Sequence, residues 1–425
     1  MSTLKYYVWL SALPGIGASA AGKLLRRFGS AEGVFFADPE EQKKTPELTQ
    51  SELAALSDKD LARPSRILAR CAELGQRVVT IQDAEYPERL RNIYDPPIVL
   101  YVKGRFPAID EEAAIAVVGT RTCTPYGLKT AENCGYVLAR RGLLVVTGLA
   151  KGVDTAAALG ALRGGGAVIG VLGCGIDVVY PRSNAELYED VANVGALVSE
   201  YPPGTEVAGH HFPVRNRIIS GMSVGVAVIE APLRSGALIT ASRALEQGRD
   251  VFAVPGNVDA SASAGANKLL RDGAIPMLAP EDIVNEYAGL FPLKINGGNV
   301  KISPLDKKLE KRLITGQKPT EKGLDSAAGN EYIDTDAAAK EQAAQEAMEK
   351  AAEKAAQKTE DSLTGAEKAV FRALRSLSRP GEAVHIDDII ASAGIPAPEA
   401  LGAMTMLEID GNAVSLGSGF YALSK

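Results

Sequence analysis

Cysteine, histidine and aromatic residues are scarce in this 425-residue chain, and each shortage excludes something. The four cysteines (Cys71, Cys123, Cys134 and Cys174) form no CxxC pair, so neither a disulfide frame nor a zinc-type ligand spacing is legible. They fit buried thiols in a reducing cytoplasm. Of the three histidines, His210 and His211 adjoin and His385 lies far downstream. Such a set suggests no metal site and no Ser/Cys–His dyad. The longest apolar runs, such as 113–118 and 143–146, fall far short of the roughly 20 residues of a membrane span. Residues 1–10 carry one Lys and no cleavage pattern, so no signal peptide is read and a cytoplasmic location is expected. No GxxxxGK[ST] loop occurs, which argues against P-loop ATP hydrolysis. Net positive charge is missing too: the total is −6, at face value an argument against a nucleic-acid partner.

What is present is an ordinary globular composition, 46% hydrophobic and 23% charged, with a surplus of 43 glycines. The length allows about three domains. Charge is unevenly spread. Residues 1–112 carry 15 basic and 16 acidic groups, 113–279 carry 14 and 13, 280–362 carry 12 and 16, and 363–425 carry 5 and 7. In 113–279 eleven of the cations are Arg and three are Lys, the bias expected where bidentate phosphate contacts are made.

Residues 1–75 read as a small helical domain. Leu10-Ser-Ala-Leu-Pro-Gly-Ile-Gly17 before an Ala/Leu-rich helix has the helix-hairpin-helix (SAM-like) pattern. Its turn amides could face a DNA phosphate, although a plain tight turn in a bundle is the favoured reading. Strands at 77–81 and 98–102 flank a short helix at 86–91. Continuous apolar runs then predict strands at 114–118, 143–146, 167–172, 196–198, 224–229 and 250–254, with helices between them at 126–141, 153–163, 213–222 and 237–247. That alternation is an α/β, Rossmann-like, doubly wound and mostly parallel sheet spanning 76–290. Residues 295–360, rich in Ala, Lys and Glu, read as a linker. From 361 to 425, three helices and a hairpin across Gly417-Ser-Gly419 predict a winged-helix domain.

Such a sheet binds ligands at the carboxyl ends of its strands, so the loops there carry the argument. Gly119-Thr-Arg-Thr-Cys-Thr-Pro125, Thr147-Gly-Leu-Ala-Lys-Gly-Val-Asp154 and Glu230-Ala-Pro-Leu-Arg-Ser-Gly236 each place backbone N–H groups at a helix start, where an anion is favoured. In Phe212-Pro-Val-Arg-Asn-Arg217, Pro213 suggests the helix start, putting Arg215, Asn216 and Arg217 in the first turn. Two cations there oppose the helix dipole unless an anion is bound or carboxylates such as Glu200 or Glu230 pair with them. Arg121, Lys151 and Arg234 in neighbouring loops favour a phosphate pocket. Ser235 suits both a helix N-cap and a phosphate contact. Asp154 and Glu200 could act as acid or base, but capping and Arg pairing explain them equally, and Cys174 reads as a small buried residue. Gly173-Cys-Gly175 lacks the third glycine of a dinucleotide fingerprint.

These motifs, with Val117-Val-Gly-Thr-Arg121, Tyr126-Gly127, Tyr180-Pro181, Ser199-Glu200, Ser235-Gly-Ala-Leu-Ile-Thr-Ala241 and Val254-Pro-Gly256, strongly resemble the bacterial DNA-processing protein A (DprA/Smf) family. The resemblance is dense over about 80–280. It implies single-stranded DNA binding without strong sequence preference, homodimerisation, and loading of RecA recombinase during natural transformation (competence). No catalytic constellation, metal site or cofactor motif is evident in the residues, so a non-enzymatic protein is expected. Carried over, the phosphate pocket comprises Gly119, Thr120, Arg121, Gly148, Lys151, Arg215, Asn216, Arg217, Ser235, Gly236 and Thr240, and Phe212 is added to the DNA-binding set from the residues alone. Phe212 is the best stacking candidate, ahead of Tyr126 and Tyr180. The family often has His where Ala158 stands and Ser where Thr147 stands, and its linker is shorter. The alternative is a nucleotide-processing, phosphoribohydrolase-like enzyme on the same scaffold, but Ala231-Pro-Leu-Arg-Ser-Gly-Ala-Leu-Ile lacks the catalytic Glu of those enzymes. The presumed recognition helix of the winged helix, 398–408, has no Lys or Arg, which suggests a protein contact rather than groove reading.

Overall fold

Runs of Val, Ile, Leu and Ala with no polar alternation suit strands covered on both faces, and such strands form the centre of the molecule. The computed structural model describes residues 3–295, 363, 365–377, 384–409, 412–415 and 420–423. Apart from Ile295, the linker read over 295–360 lies outside them, as does the Gly417-Ser-Gly419 turn. The chain divides into two units, Met1–Pro319 and Thr320–Lys425.

In the first unit nine strands make one sheet: β1 (Arg77–Thr80), β2 (Val99–Gly104), β3 (Ala114–Val118), β4 (Leu144–Thr147), β5 (Val168–Leu172), β6 (Ala196–Ser199), β7 (Gly225–Val228), β8 (Asp250–Ala253) and β9 (Ile275–Pro276). The order is β1-β2-β6-β5-β4-β3-β7-β8-β9. The β1–β2 and β2–β6 pairs are antiparallel, and every other pair is parallel. The sheet is thus mostly parallel, as its apolar runs predict. The two-residue β9 escapes sequence reading because so short a stretch carries no periodic signal.

Alternation along each strand feeds two cores. Ile115 and Val117 of β3 face one core, which also holds the helices Pro125–Arg140 and Val153–Arg163. Ala114, Ala116 and Val118 face the other, with Ile218 and Ile219 of helix His211–Gly221 and Ala241 of helix Gly236–Glu246. Helices therefore cover both faces, the doubly wound arrangement. The N-terminal helices are not set apart from this packing. Trp9, Leu10, Ile16 and Leu24 join Val99 and Tyr101 of β2 in the first core. Among the described residues no helix is long and apolar enough to cross a membrane.

The second unit has helices Gly365–Leu377, Ile386–Ala393 and Ala397–Ile409, with β10 (Val384–His385), β11 (Ala413–Ser415) and β12 (Phe420–Leu423). The strands pair antiparallel in the order β10-β12-β11. Three helices and a hairpin are the winged-helix pattern expected, around a core that includes Val370, Phe371, Ile389 and Leu407. His385, read as helical, instead ends β10 and caps the next helix through its ring nitrogen.

Candidate nucleic-acid interface

Strand order decides where a ligand can sit. From β3 the chain steps outward through β4, β5 and β6, then returns to the other side of β3 for β7 and steps on through β8 and β9. The reversal leaves a crevice at the carboxyl ends of β3 and β7. The loops that follow these two strands are tied together by one buried residue. Glu230, 2% exposed, accepts hydrogen bonds from Thr124 N and Oγ1, each at 2.8 Å, while its carbonyl accepts from Thr120 N at 2.8 Å. Thr124 caps helix Pro125–Arg140 by accepting from Gly127 N at 3.1 Å. A carboxylate at that positive helix end is favoured. Nothing local signals this role, because Thr124 and Glu230 lie 106 residues apart.

On the β7 side, Ser235 Oγ caps helix Gly236–Glu246 by accepting from Ala237 N at 3.3 Å. Asn216 Nδ2 donates to Gly236 O at 3.2 Å and Thr240 Oγ1 to the same carbonyl at 3.4 Å. Asn216, Gly236 and Thr240 are thus joined directly, with Ser235 at the start of the same helix, while Thr120 is tied to the loop after β7 through Glu230.

A second neighbourhood lies at the ends of β4 and β5. Arg215 is 4% exposed, and its Nη1 donates to Gly148 O at 2.9 Å and to Val171 O. Its Nε donates to Asn216 Oδ1 at 3.2 Å. Beside it, the buried Asp154 accepts from Gly148 N at 3.1 Å and Ala150 N at 3.4 Å. Burial pushes the Asp154 carboxyl up, while Arg215 and the loop amides pull it down. Gly148 serves packing: a Cβ there would strike the Arg215 guanidinium. The turn is sharp, with Leu149 at φ 52° and Gly152 at φ 80°, a region that disfavours side chains such as Leu. Lys151 is exposed at its tip.

Phe212 joins the two neighbourhoods. The Arg121 guanidinium lies 4.9 Å from its ring centroid, Arg215 lies 5.9 Å away, and Tyr180 lies 5.6 Å away in a tilted pair. Arg121 and Tyr180 are exposed and Phe212 is half-buried, so a cation and two rings meet solvent together. Next in the chain, His211 stacks on Tyr201 at 4.1 Å and its Nδ1 lies 3.0 Å from Gly173 O. Sequence reasoning singled out neither His211 nor Tyr201, since stacked rings from different loops leave no spacing to detect.

Two expectations are corrected. The helix begins at His211, not Pro213, because proline is tolerated anywhere in a first turn whose N–H groups lack helical partners. Arg215 and Arg217 consequently lie in the second turn and point inward. Arg217, 3% exposed, pairs with Glu200, and its Nη1 donates to Asp95 O at 2.5 Å. The carboxylate-pairing alternative thus holds for Arg217, while Glu230 turns to Thr124. Burial raises the Glu200 carboxyl and Arg217 opposes that rise. Arg217 stands apart from the Arg121–Phe212 cluster.

Residues 77–288 match the family model described as DNA recombination-mediator protein A, and 354–419 match the DprA winged helix domain. The DNA processing protein DprA of Bacillus subtilis is 42% identical over 221 residues, 52% of this chain and 74% of that protein. That of Streptococcus pneumoniae is 44% identical over 208 residues, 49% of this chain and 73% of that protein. The chain belongs to the DNA-processing protein A (DprA/Smf) family. The X-ray structure of DNA processing protein A from Streptococcus pneumoniae superposes with a TM-score of 0.58 at 35% identity, covering 66% of this chain and 96% of that one.

Three of the four cysteines of this DprA/Smf family member are buried. Burial pushes the Cys71 and Cys174 thiols up to about 11 and Cys134 up to about 12. Cys123, in the loop after β3, is partly exposed. Native protein at pH 8 should therefore show one readily titrated thiol with a disulfide dye, and denatured protein all four. Rapid reaction of Cys174 would contradict its buried setting.

Proposed function

We propose that this chain binds single-stranded DNA along the carboxyl edge of its sheet, without strong sequence preference, and acts as a recombination mediator rather than an enzyme. The observation that carries this is the Arg121 guanidinium resting on Phe212 beside Tyr180: a phosphate-binding cation and stacking surfaces for bases in one exposed cluster. Family membership supports the same reading. A strand would meet Arg121, Lys151, Phe212, Ser235 and Gly236. Arg215, Asn216 and Thr240, 4%, 7% and 2% exposed, would hold that surface from beneath, with Gly119, Thr120 and Gly148 setting the loops. Arg217 would serve the fold alone. We further propose a cytoplasmic homodimer that hands strands to a RecA-type recombinase during natural transformation. The winged helix, with no Lys or Arg in helix Ala397–Ile409, would contact protein.

The test is binding of oligo-dT across a salt series. Saturable binding should weaken on a log–log plot with a slope of about −0.7 per phosphate contact, hence about −2 for three contacts. Absence of binding, or affinity indifferent to salt, overturns the reading. Release of free base from nucleoside monophosphates would favour the hydrolase alternative instead.

A further inference from the structure

Helix Pro125–Arg140 follows directly on the loop that carries Arg121. Its buried residues, Gly127, Ala131, Cys134, Gly135, Leu138 and Ala139, mark the side turned to the core. At about 3.6 residues per turn, Tyr126, Lys129, Asn133, Tyr136 and Arg140 line up on the opposite side, spaced by three and four residues. All five are exposed, Tyr126 by 54% and Tyr136 by 43%. Tyr126 is held at the top of this stripe, its hydroxyl donating to Pro255 O at 3.4 Å.

The charges of the stripe are uncompensated. Lys129 and Arg140 enter no ion pair among the described residues. The helix has one carboxylate, Glu132, which is half-buried and paired with Arg163. Helix Pro280–Tyr287 packs beside it, and its Asp282 is spent on its own cap, accepting from Leu278 N at 2.7 Å and Ala279 N at 2.9 Å. Two solvent-facing rings alternating with two unpaired cations form the pattern of a single-strand platform, in which bases stack and phosphates meet positive charge. The stripe holds no aliphatic side chain, so it offers a partner helix little to bury against. Position supports the same occupant: Arg121 rests on Phe212, and the chain runs from Arg121 straight into the helix that carries the stripe.

We propose that a bound single strand leaves the Arg121–Phe212 cluster and continues along the outward face of helix Pro125–Arg140, an inference that rests on the single-strand reading above. Its bases stack on Tyr126 and Tyr136, and its phosphates meet Lys129 and Arg140. From Tyr126 to Arg140 the helix rises about 21 Å. At about 3.4 Å per stacked nucleotide that is room for about six nucleotides, and fewer where the strand is stretched. The binding surface thus turns from the carboxyl edge of the sheet down one side of the molecule.

Strand length is the variable that tests this on the full chain. Oligo-dT of about six nucleotides, enough for the cluster alone, is compared with oligo-dT of about twenty. In Lys129→Ala/Tyr136→Ala/Arg140→Ala the long strand should lose about tenfold or more in affinity, with its salt slope reduced by about 1.4 for two phosphate contacts. The short strand should stay within about twofold of wild type. Tyr136→Phe, which keeps the ring, should bind both lengths as wild type does. Lys103→Ala/Arg105→Ala removes two exposed cations at the end of β2 and should leave the long strand within about twofold. Independently, 5-iododeoxyuridine in the long strand should photo-crosslink wild type at Tyr136. Long-strand affinity unchanged in the triple variant, equal loss on both lengths, equal loss in the Lys103/Arg105 variant, or no crosslink at Tyr136 overturns the proposal. If wild type binds the short strand while the helix variants have no effect, the helix track alone falls. If wild type binds neither length, the single-strand reading falls and the track with it.

Discussion

Arg217→Ala should lower the stability of the α/β unit by about 3–5 kcal/mol, the range for breaking a buried ion pair from one side. Arg217 is 3% exposed, and it neutralises Glu200 while also reaching Asp95, whose carboxylate lies 3.5 Å from its Nε. Without the guanidinium, Glu200 must either hold a buried charge without its partner or take up a proton, since burial already raises its carboxyl. At roughly 2–4 °C per kcal/mol for a unit of this size, the melting transition should fall by about 10 °C. Adding Glu200→Gln should recover part of the loss, because the stranded charge is then gone. A melting curve within about 1 °C of wild type would show that the pair is not what holds the 211–221 helix to the end of β6. Arg217 is therefore a poor probe of DNA binding: a folding defect would imitate a binding defect.

Arg121→Ala with Phe212→Ala is the informative pair. Arg121 is exposed and Phe212 half-buried, so the fold should survive. Base stacking on an aromatic ring contributes about 1–3 kcal/mol, and an Arg–phosphate contact adds a salt-dependent share. Together the loss of oligo-dT affinity should be about a hundredfold at low salt, with the salt slope reduced by about 0.7 through the arginine alone. The two side chains are in contact, 4.9 Å from guanidinium to ring centroid, so their single effects should not add. Affinity within about twofold of wild type in the double variant would move the binding surface elsewhere.

The sequence by itself determined the parallel α/β core, because strands buried on both faces must be written as unbroken apolar runs. Ile115 and Val117 against Ala114, Ala116 and Val118 need no distant information to choose their faces. It also determined which loops crowd the carboxyl edge, since glycine and capping residues act locally: Ser235 caps the helix it was expected to cap. What a charged side chain does there was decided only by tertiary structure. Arg121, Arg215 and Arg217 look alike in the sequence, yet one lies exposed on a ring, one is buried against backbone carbonyls and one is locked to Glu200. A cation's role depends on which acceptors reach it through space, and those come from β4, β5, β6 and the approach to β2. The same holds for Glu230, whose partner Thr124 is brought near only when β7 inserts beside β3. Local pattern encodes burial and turns; the pairing of charges waits for strand order.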